Sequence, residues 1–225
     1  MTLESNKTLG GIGAILVFIG LIPIPGTQPF LEILAFVGLI LVLIALYGLA
    51  NYYKERGIFN NSIYGIIVGI VGIVIAGALL VVAVLTTLKD FLLKIFPTWN
   101  GDWSKLSGLA SNSSNITTSN ITASTVLPLV ESLLVVFFVL WIFVIISAFF
   151  ARRSLKTLSK KSSIGLFSTA GLLLFIGAFL TIILIGLLLM WIAILLVAIA
   201  FFQIKPQQEQ PVAAVSPPPP TPTPV

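Results

Sequence analysis

Long apolar runs alternate with short polar interruptions along this chain. The runs are Leu9 to Ile24, Phe30 to Ala50, Ile63 to Leu88 and Leu129 to Phe150. A final stretch, Ile164 to Ile204, has no charged residue in 41 positions. A bilayer core about 30 Å thick is crossed by about 20 apolar residues in a helix, so each of the first four runs predicts one crossing. The last stretch would be about 60 Å long as one helix, twice that core. It is expected to fold back near Gly177–Thr181, which gives six spanning helices. The first run is short, so Glu4–Thr8 are read as completing its start. Pro25-Gly26 marks a turn before the second run. Gly26-Thr27-Gln28-Pro29 lacks the small-x-small pattern of a cleavage site, so the first helix is read as retained.

The polar interruptions differ in character. Asn51 to Ser62 contains Lys54, Glu55 and Arg56. Lys89 to Phe96 mixes charged and bulky apolar residues and is followed by Trp99 and Trp103, as expected of a short amphipathic segment at headgroup level. Ser107 to Thr125 is an uncharged polar loop. Ala151 to Ser163 is read as a basic loop carrying Arg152, Arg153, Lys156, Lys160 and Lys161. After Lys205 the chain holds eight of its 13 prolines and is expected to be extended and unpacked. The domain plan is a six-helix bundle over residues 1–204, with 89–127 as an outer segment, and a disordered proline-rich tail over 205–225. The fold class is all-α, a polytopic membrane bundle of three parallel hairpins.

Composition agrees with a lipid solvent. Charged residues make up 8% and apolar residues 58%, against about 25% charged in a soluble domain. The net charge of +5 is unevenly placed. With six crossings, Lys7, Lys54, Arg56, Arg152, Arg153, Lys156, Lys160, Lys161 and Lys205 share one side, and Lys89, Lys94 and Lys105 share the other. Basic residues stay inside, so both termini are expected in the cytoplasm of a cell-membrane protein. Three N-x-[ST] triplets, at Asn112, Asn115 and Asn120, fall in the loop that charge counting places outside. They read equally as glycosylation acceptors or as a plain Ser/Asn linker.

Little chemistry can be built from these residue types. There is no Cys and no His, which removes thiolate and imidazole ligands for zinc, haem and iron–sulfur centres. Asp occurs only at Asp90 and Asp102, and no phosphate-binding Gly-x-x-x-x-Gly-Lys-[ST] loop exists. No enzyme activity, cofactor, metal or nucleic-acid partner is expected. Glu32 and Glu131 sit in the first turns of their helices. Each is a candidate ion or proton contact, or simply an acid meeting water at a helix N-terminus. Gly65, Gly69, Gly72 and Ala76 share one face of the third run and predict a close helix–helix seam, within the bundle or between copies in a homo-oligomer. Arg152, Arg153, Lys156, Lys160 and Lys161 are candidate contacts for anionic lipid headgroups, or a topogenic signal alone. The tail offers proline to an aromatic groove of an unknown partner.

Weak internal repetition accompanies this pattern. Phe18-Ile19-Gly20 matches Phe175-Ile176-Gly177, and Pro29…Glu32 matches Pro128…Glu131. Parallel hairpin repeats occur in some transporters, although apolar helices share a small alphabet. The opening Leu3-Glu4-Ser5-Asn6-Lys7-Thr8-Leu9-Gly10-Gly11-Ile12-Gly13 and the closing stretch from Phe167 through Gly177 to Phe202 resemble a family of archaeal and bacterial membrane proteins catalogued as domain of unknown function 996. The resemblance brackets Met1 to Ile204 and omits the tail. It implies a multi-pass membrane protein and supplies no activity or site residues. Some members of that family end in a Cys-containing zinc ribbon, which this Cys-free chain cannot form. The leading functional expectation is a noncatalytic scaffold or interaction protein. The alternative is a small-solute or ion carrier, which would need a continuous polar cavity between the hairpins.

Overall fold

The computed structural model describes residues 2–23, 25–26, 28–105, 107–108 and 121–206. The Asn112, Asn115 and Asn120 triplets and the tail beyond Pro206 lie outside the described residues. Among the described residues the regular structure is helical: α1 (Leu3–Gly20), α2 (Gln28–Tyr52), α3 (Arg56–Ala83), α4 (Lys89–Ile95), α5 (Ala123–Ser162), α6 (Gly165–Leu180) and α7 (Ile185–Phe202). Among the described residues, five helical stretches are long and apolar enough to cross a bilayer: Pro29–Tyr52, Arg56–Ile95, Ala123–Ser162, Gly165–Ile183 and Ile185–Phe202. The sixth long helix, α1, carries Glu4, Asn6 and Lys7 in its first two turns. Its N-cap, Thr2, accepts the backbone N–H of Ser5 at 3.2 Å, which satisfies one orphan donor of the first turn.

Six long helices close into a ring. The packing order is α1, α2, α3, α5, α6, α7 and back to α1. It is built from three hairpins, each of two antiparallel helices: α1/α2, α3/α5 and α6/α7. With no hydrophobic drive between helices in lipid, close backbone approach and dispersion must hold such seams. At the α1/α2 seam, a Cβ on Gly13 would sit 2.7 Å from the Gly38 carbonyl oxygen, so glycine is what allows these backbones to meet. One end of the ring, here the basal end, collects both chain termini of the bundle. Its core contains Leu49, Ile58, Leu158, Phe167, Phe201 and Ile204, all essentially fully buried. Phe167 and Phe201 meet edge to face at 5.2 Å, a favoured ring geometry.

Turns between helices are tight. Lys54, Ser163 and Leu184 adopt positive φ of 52°, 60° and 62°. That region is unfavourable for side chains other than glycine, and each of these residues reverses the chain between two long helices. The reversal in the last stretch falls at Thr181–Leu184, later than the expected Gly177–Thr181. Gly177 remains helical because it faces Gly186 and Met190 across the seam, so its missing side chain serves packing instead of turning.

Two readings of the polar interruptions are corrected. The basic stretch Ala151 to Ser163 is not a loop. It is the last part of α5, which runs unbroken to Ser162. Arg, Lys and Leu are good helix formers, and Ser154, Leu155 and Leu158 turn one face of this stretch into the basal core. The segment Lys89–Ile95 is not a separate helix either. It continues α3 through a π-helical turn, Val84–Leu88, with helical backbone at both junctions. α5 also starts earlier than Leu129, at Ala123, with Pro128 inside it. Pro128 removes a single backbone donor near the start of the helix.

The hairpins differ in reach. The Trp141 indole donates to the Ala178 carbonyl at 3.0 Å, which places Trp141 beside the far end of α6. Residues 123–140 of α5 continue past that level for about 27 Å at 1.5 Å per residue. Their helical partner there is the far half of the α3–α4 rod. Beyond α4 the chain folds around Trp99, which is buried, stacks edge to face with Trp103 at 5.4 Å and donates to the Asp102 carbonyl at 2.9 Å. The Asp102 carboxylate accepts the Ser104 hydroxyl at 2.8 Å and the Ser104 backbone N–H at 3.0 Å. These bonds, the hydroxyl's first, hold Asp102 below the ordinary aspartate range.

Candidate functional site

Inside the ring lies an apolar slot. Its basal part is a cavity of about 240 Å³ to which all six long helices contribute, among them Val17, Val42, Ile66, Leu155, Leu174 and Ile194. A second cavity of about 270 Å³ adjoins it toward the far end, bordered by Gly69, Ile73, Leu140, Phe143 and Met190. The two share Ser147, Ala151 and Leu174 as walls.

The hydroxyls at the slot are engaged with protein groups. Ser147 of α5 donates to the Gly65 carbonyl of α3 at 2.8 Å. Ser154, 1% exposed, donates to the Ile58 carbonyl, and its hydroxyl lies 2.7 Å from that of Ser62. These bonds tie α3 to α5 across their seam. None of the three serines stands out in the sequence, because one hydroxyl in an apolar run leaves the helical pattern intact. The slot wall is otherwise apolar.

The small-residue stripe of α3 lies on this seam, and its members are unequally crowded. Gly65, Gly72 and Ala76 are buried. A Cβ at Gly72 would collide with Phe143, one at Gly65 would meet the Ser147 carbonyl at 3.1 Å, and one at Gly69 would find Ser147 Oγ at 3.5 Å. Gly69 therefore borders the slot with room to spare.

The carboxylates and basic residues lie elsewhere. Glu32 and Glu131 are exposed and neither lines either cavity of the slot. Glu131 sits beyond the ring on the far part of α5, near Ile182. At the basal end, Arg153, Lys156 and Lys160 are exposed on α5 at helical spacing. Arg152 lies over the Phe175 ring at 5.0 Å, a cation–π contact. Lys161 pairs with Glu55 at 3.3 Å, joining the end of α5 to the α2–α3 turn.

Two buried polar groups were not singled out by the sequence. Asn6 is fully buried against Gly48, and neither atom of its amide has a hydrogen-bond partner within the protein; the Tyr53 hydroxyl is in the same condition. Burial raises the Tyr53 pKa above its ordinary value, and neighbouring Tyr52 adds to the shift. Among the described residues no cluster of three His, Cys, Asp or Glu could hold a metal ion.

Comparison with known proteins reaches the same level of description. Over 204 residues the chain is 26% identical to "Uncharacterized protein MJ1644" of Methanocaldococcus jannaschii, covering 91% of this chain and 94% of that protein. No solved structure matches it. Residues 34–195, from α2 to α7, match the family described as "Protein of unknown function (DUF996)". The chain, a helical bundle with five to six helices able to cross a membrane, belongs to that family of unknown function.

Proposed function

We infer that this protein is a noncatalytic membrane scaffold or interaction protein whose basal end faces the cytoplasm. The observation that supports it is the wall of the slot. It is apolar from Leu155 to Leu140, and its serine hydroxyls are bound to helix groups. Such an interior seats helices and offers an ion no partner, and an unpaired charge in apolar surroundings is strongly unfavourable. Supporting this orientation are the basic residues at the basal end, Lys7, Lys54, Arg56, Arg152, Arg153, Lys156, Lys160, Lys161 and Lys205. The exposed ones on α5 face the headgroups of that leaflet, where each basic residue is worth about 1 kcal/mol against anionic lipid.

The alternative, an ion or small-solute carrier, rests on the hairpin repetition and on Glu32 and Glu131, which stand away from the slot. The two readings separate in a flux assay. Vesicles containing the protein and loaded with pH-sensitive and potassium-sensitive dyes are expected to leak no faster than empty vesicles. A saturable flux that Glu32→Gln or Glu131→Gln abolishes would replace the scaffold with the carrier.

A further inference from the structure

We propose that the slot is a binding site for one hydrocarbon chain of a membrane lipid, which enters from the bilayer between α2 and α3. The proposal does not depend on the scaffold reading, because it concerns what fills the interior and not what the exterior contacts.

Three observations carry it. The first is the mismatch between volume and polarity. Half-open cavities of about 240 and 270 Å³ leave apolar walls without packing partners, in a fold whose interior is otherwise expected to be close-packed. Water is a poor occupant, because a buried water needs two to four polar partners. Ser62 and Ser147 are the slot's hydroxyls, and both are already bound. A hydrocarbon occupant loses no hydrogen bond on entering and regains the dispersion contacts that an empty wall lacks.

The second observation is access. Of the six neighbouring pairs in the ring, α2 and α3 are the least closely packed. They meet near the basal end, where Tyr47 and Phe59 contact edge to face at 5.1 Å. Beyond that point the slot is bordered by Leu39 and Leu43 of α2 and Ile66 of α3. The outer faces beside this seam are apolar and exposed, at Ile40, Ile44, Ile67 and Ile70. Slot and lipid-facing surface are therefore continuous, with no polar barrier between them.

The third is length. From Leu155 to Leu140 the slot follows α5 for about 22 Å, against about 15 Å for the hydrocarbon of one leaflet. The slot's basal end is closed by the core around Ile58, Leu158, Phe167 and Phe201. A single chain from one leaflet fits this depth, with its headgroup left outside the seam.

Ala151 and Leu174 wall both cavities, so a larger side chain at either position blocks the slot midway. The test is native mass spectrometry of the full chain after reconstitution in phosphatidylcholine or phosphatidylglycerol vesicles and extraction into mild detergent. The wild-type chain is expected to keep one lipid under activation that strips all others, and to do so from either vesicle. Ala151→Phe and Leu174→Phe are expected to lose that lipid while eluting as single species. A wild-type chain that sheds its last lipid together with the rest overturns the proposal, whatever the variants do. So does retention from phosphatidylglycerol alone, which would assign the lipid to the basic residues of α5. Equal retention by the wild type and both variants would also place the lipid outside the slot.

Discussion

Gly72 of α3 lies so close to Phe143 of α5 that no side chain fits between them. Three residues earlier in the sequence, Gly69 leaves ordinary contact distance to its nearest neighbour, Ser147 Oγ at 3.5 Å. Gly72→Ala should therefore destabilise the bundle by about 1–3 kcal/mol through overpacking. Gly69→Ala should be neutral or stabilising, since Ala is favoured over Gly in a helix by roughly 0.5–1 kcal/mol. Thermal melting in detergent separates them. Equal melting of the two variants would mean that the seam is looser than described.

Ser154 and Ser62 share one carbonyl acceptor, that of Ile58. Ser154→Ala removes one donor, yet Ser62 can still reach Ile58 O at 3.2 Å. The expected loss is about 0.5–1.5 kcal/mol, the net worth of one hydrogen bond. Adding Ser62→Ala leaves that carbonyl without either hydroxyl, so the double variant should lose more than the sum of the singles. Strict additivity in a double-mutant cycle would show that the two hydroxyls act independently.

Asp102 makes the loop beyond α4 acid-sensitive. Its carboxyl is held below the ordinary aspartate range by Ser104, so the ionised form is the one that the folded loop favours. That stabilisation is fully present above the ordinary aspartate pKa and fades as pH falls through the lower, folded value. The emission of Trp99 and Trp103 should hold at neutral pH and change only on strong acidification. Ser104→Ala should move the change to higher pH, toward the ordinary range. An unchanged titration in that variant would remove Ser104 as the cause.

Orientation can be read with single cysteines in this Cys-free chain. Lys160→Cys reports the basal end and Asn100→Cys the far end, both at exposed positions. An impermeant thiol reagent on intact cells is expected to label position 100 and spare position 160. The reverse pattern would invert the threading.

Much of the architecture was legible because lipid demands a simple code. An uncharged stretch too long for one crossing had to fold back, and the reversal at Thr181–Leu184 lies just beyond the region that length indicated. The failures have physical causes. Five basic residues between Ala151 and Ser163 look like a loop when charge is the only guide. The same residues are strong helix formers, and Ser154, Leu155 and Leu158 anchor one face in the core, so α5 simply continues. The slot was invisible for the opposite reason. A cavity arises from how six apolar surfaces fail to fill the space between them, and no single residue announces it. Asn6 offered a faint signal as a lone amide early in a membrane helix, but nothing local places it against Gly48 of α2.

The unequal reach of the hairpins gives the molecule a taper. Among the described residues, six helices occupy the cross-section at the basal end, whereas past Trp141 and Ala178 the α3–α5 hairpin alone continues. A bilayer that also buries the apolar far part of α5 must yield more lateral area in one leaflet than in the other. Lipids of the narrow side have to spread or tilt to meet the exposed ends of the shorter hairpins at Leu21, Phe30 and Leu184. That strain is relieved where the membrane bends with its basal leaflet on the convex side. Protein density would then follow membrane shape, through geometry alone and without a recognition motif.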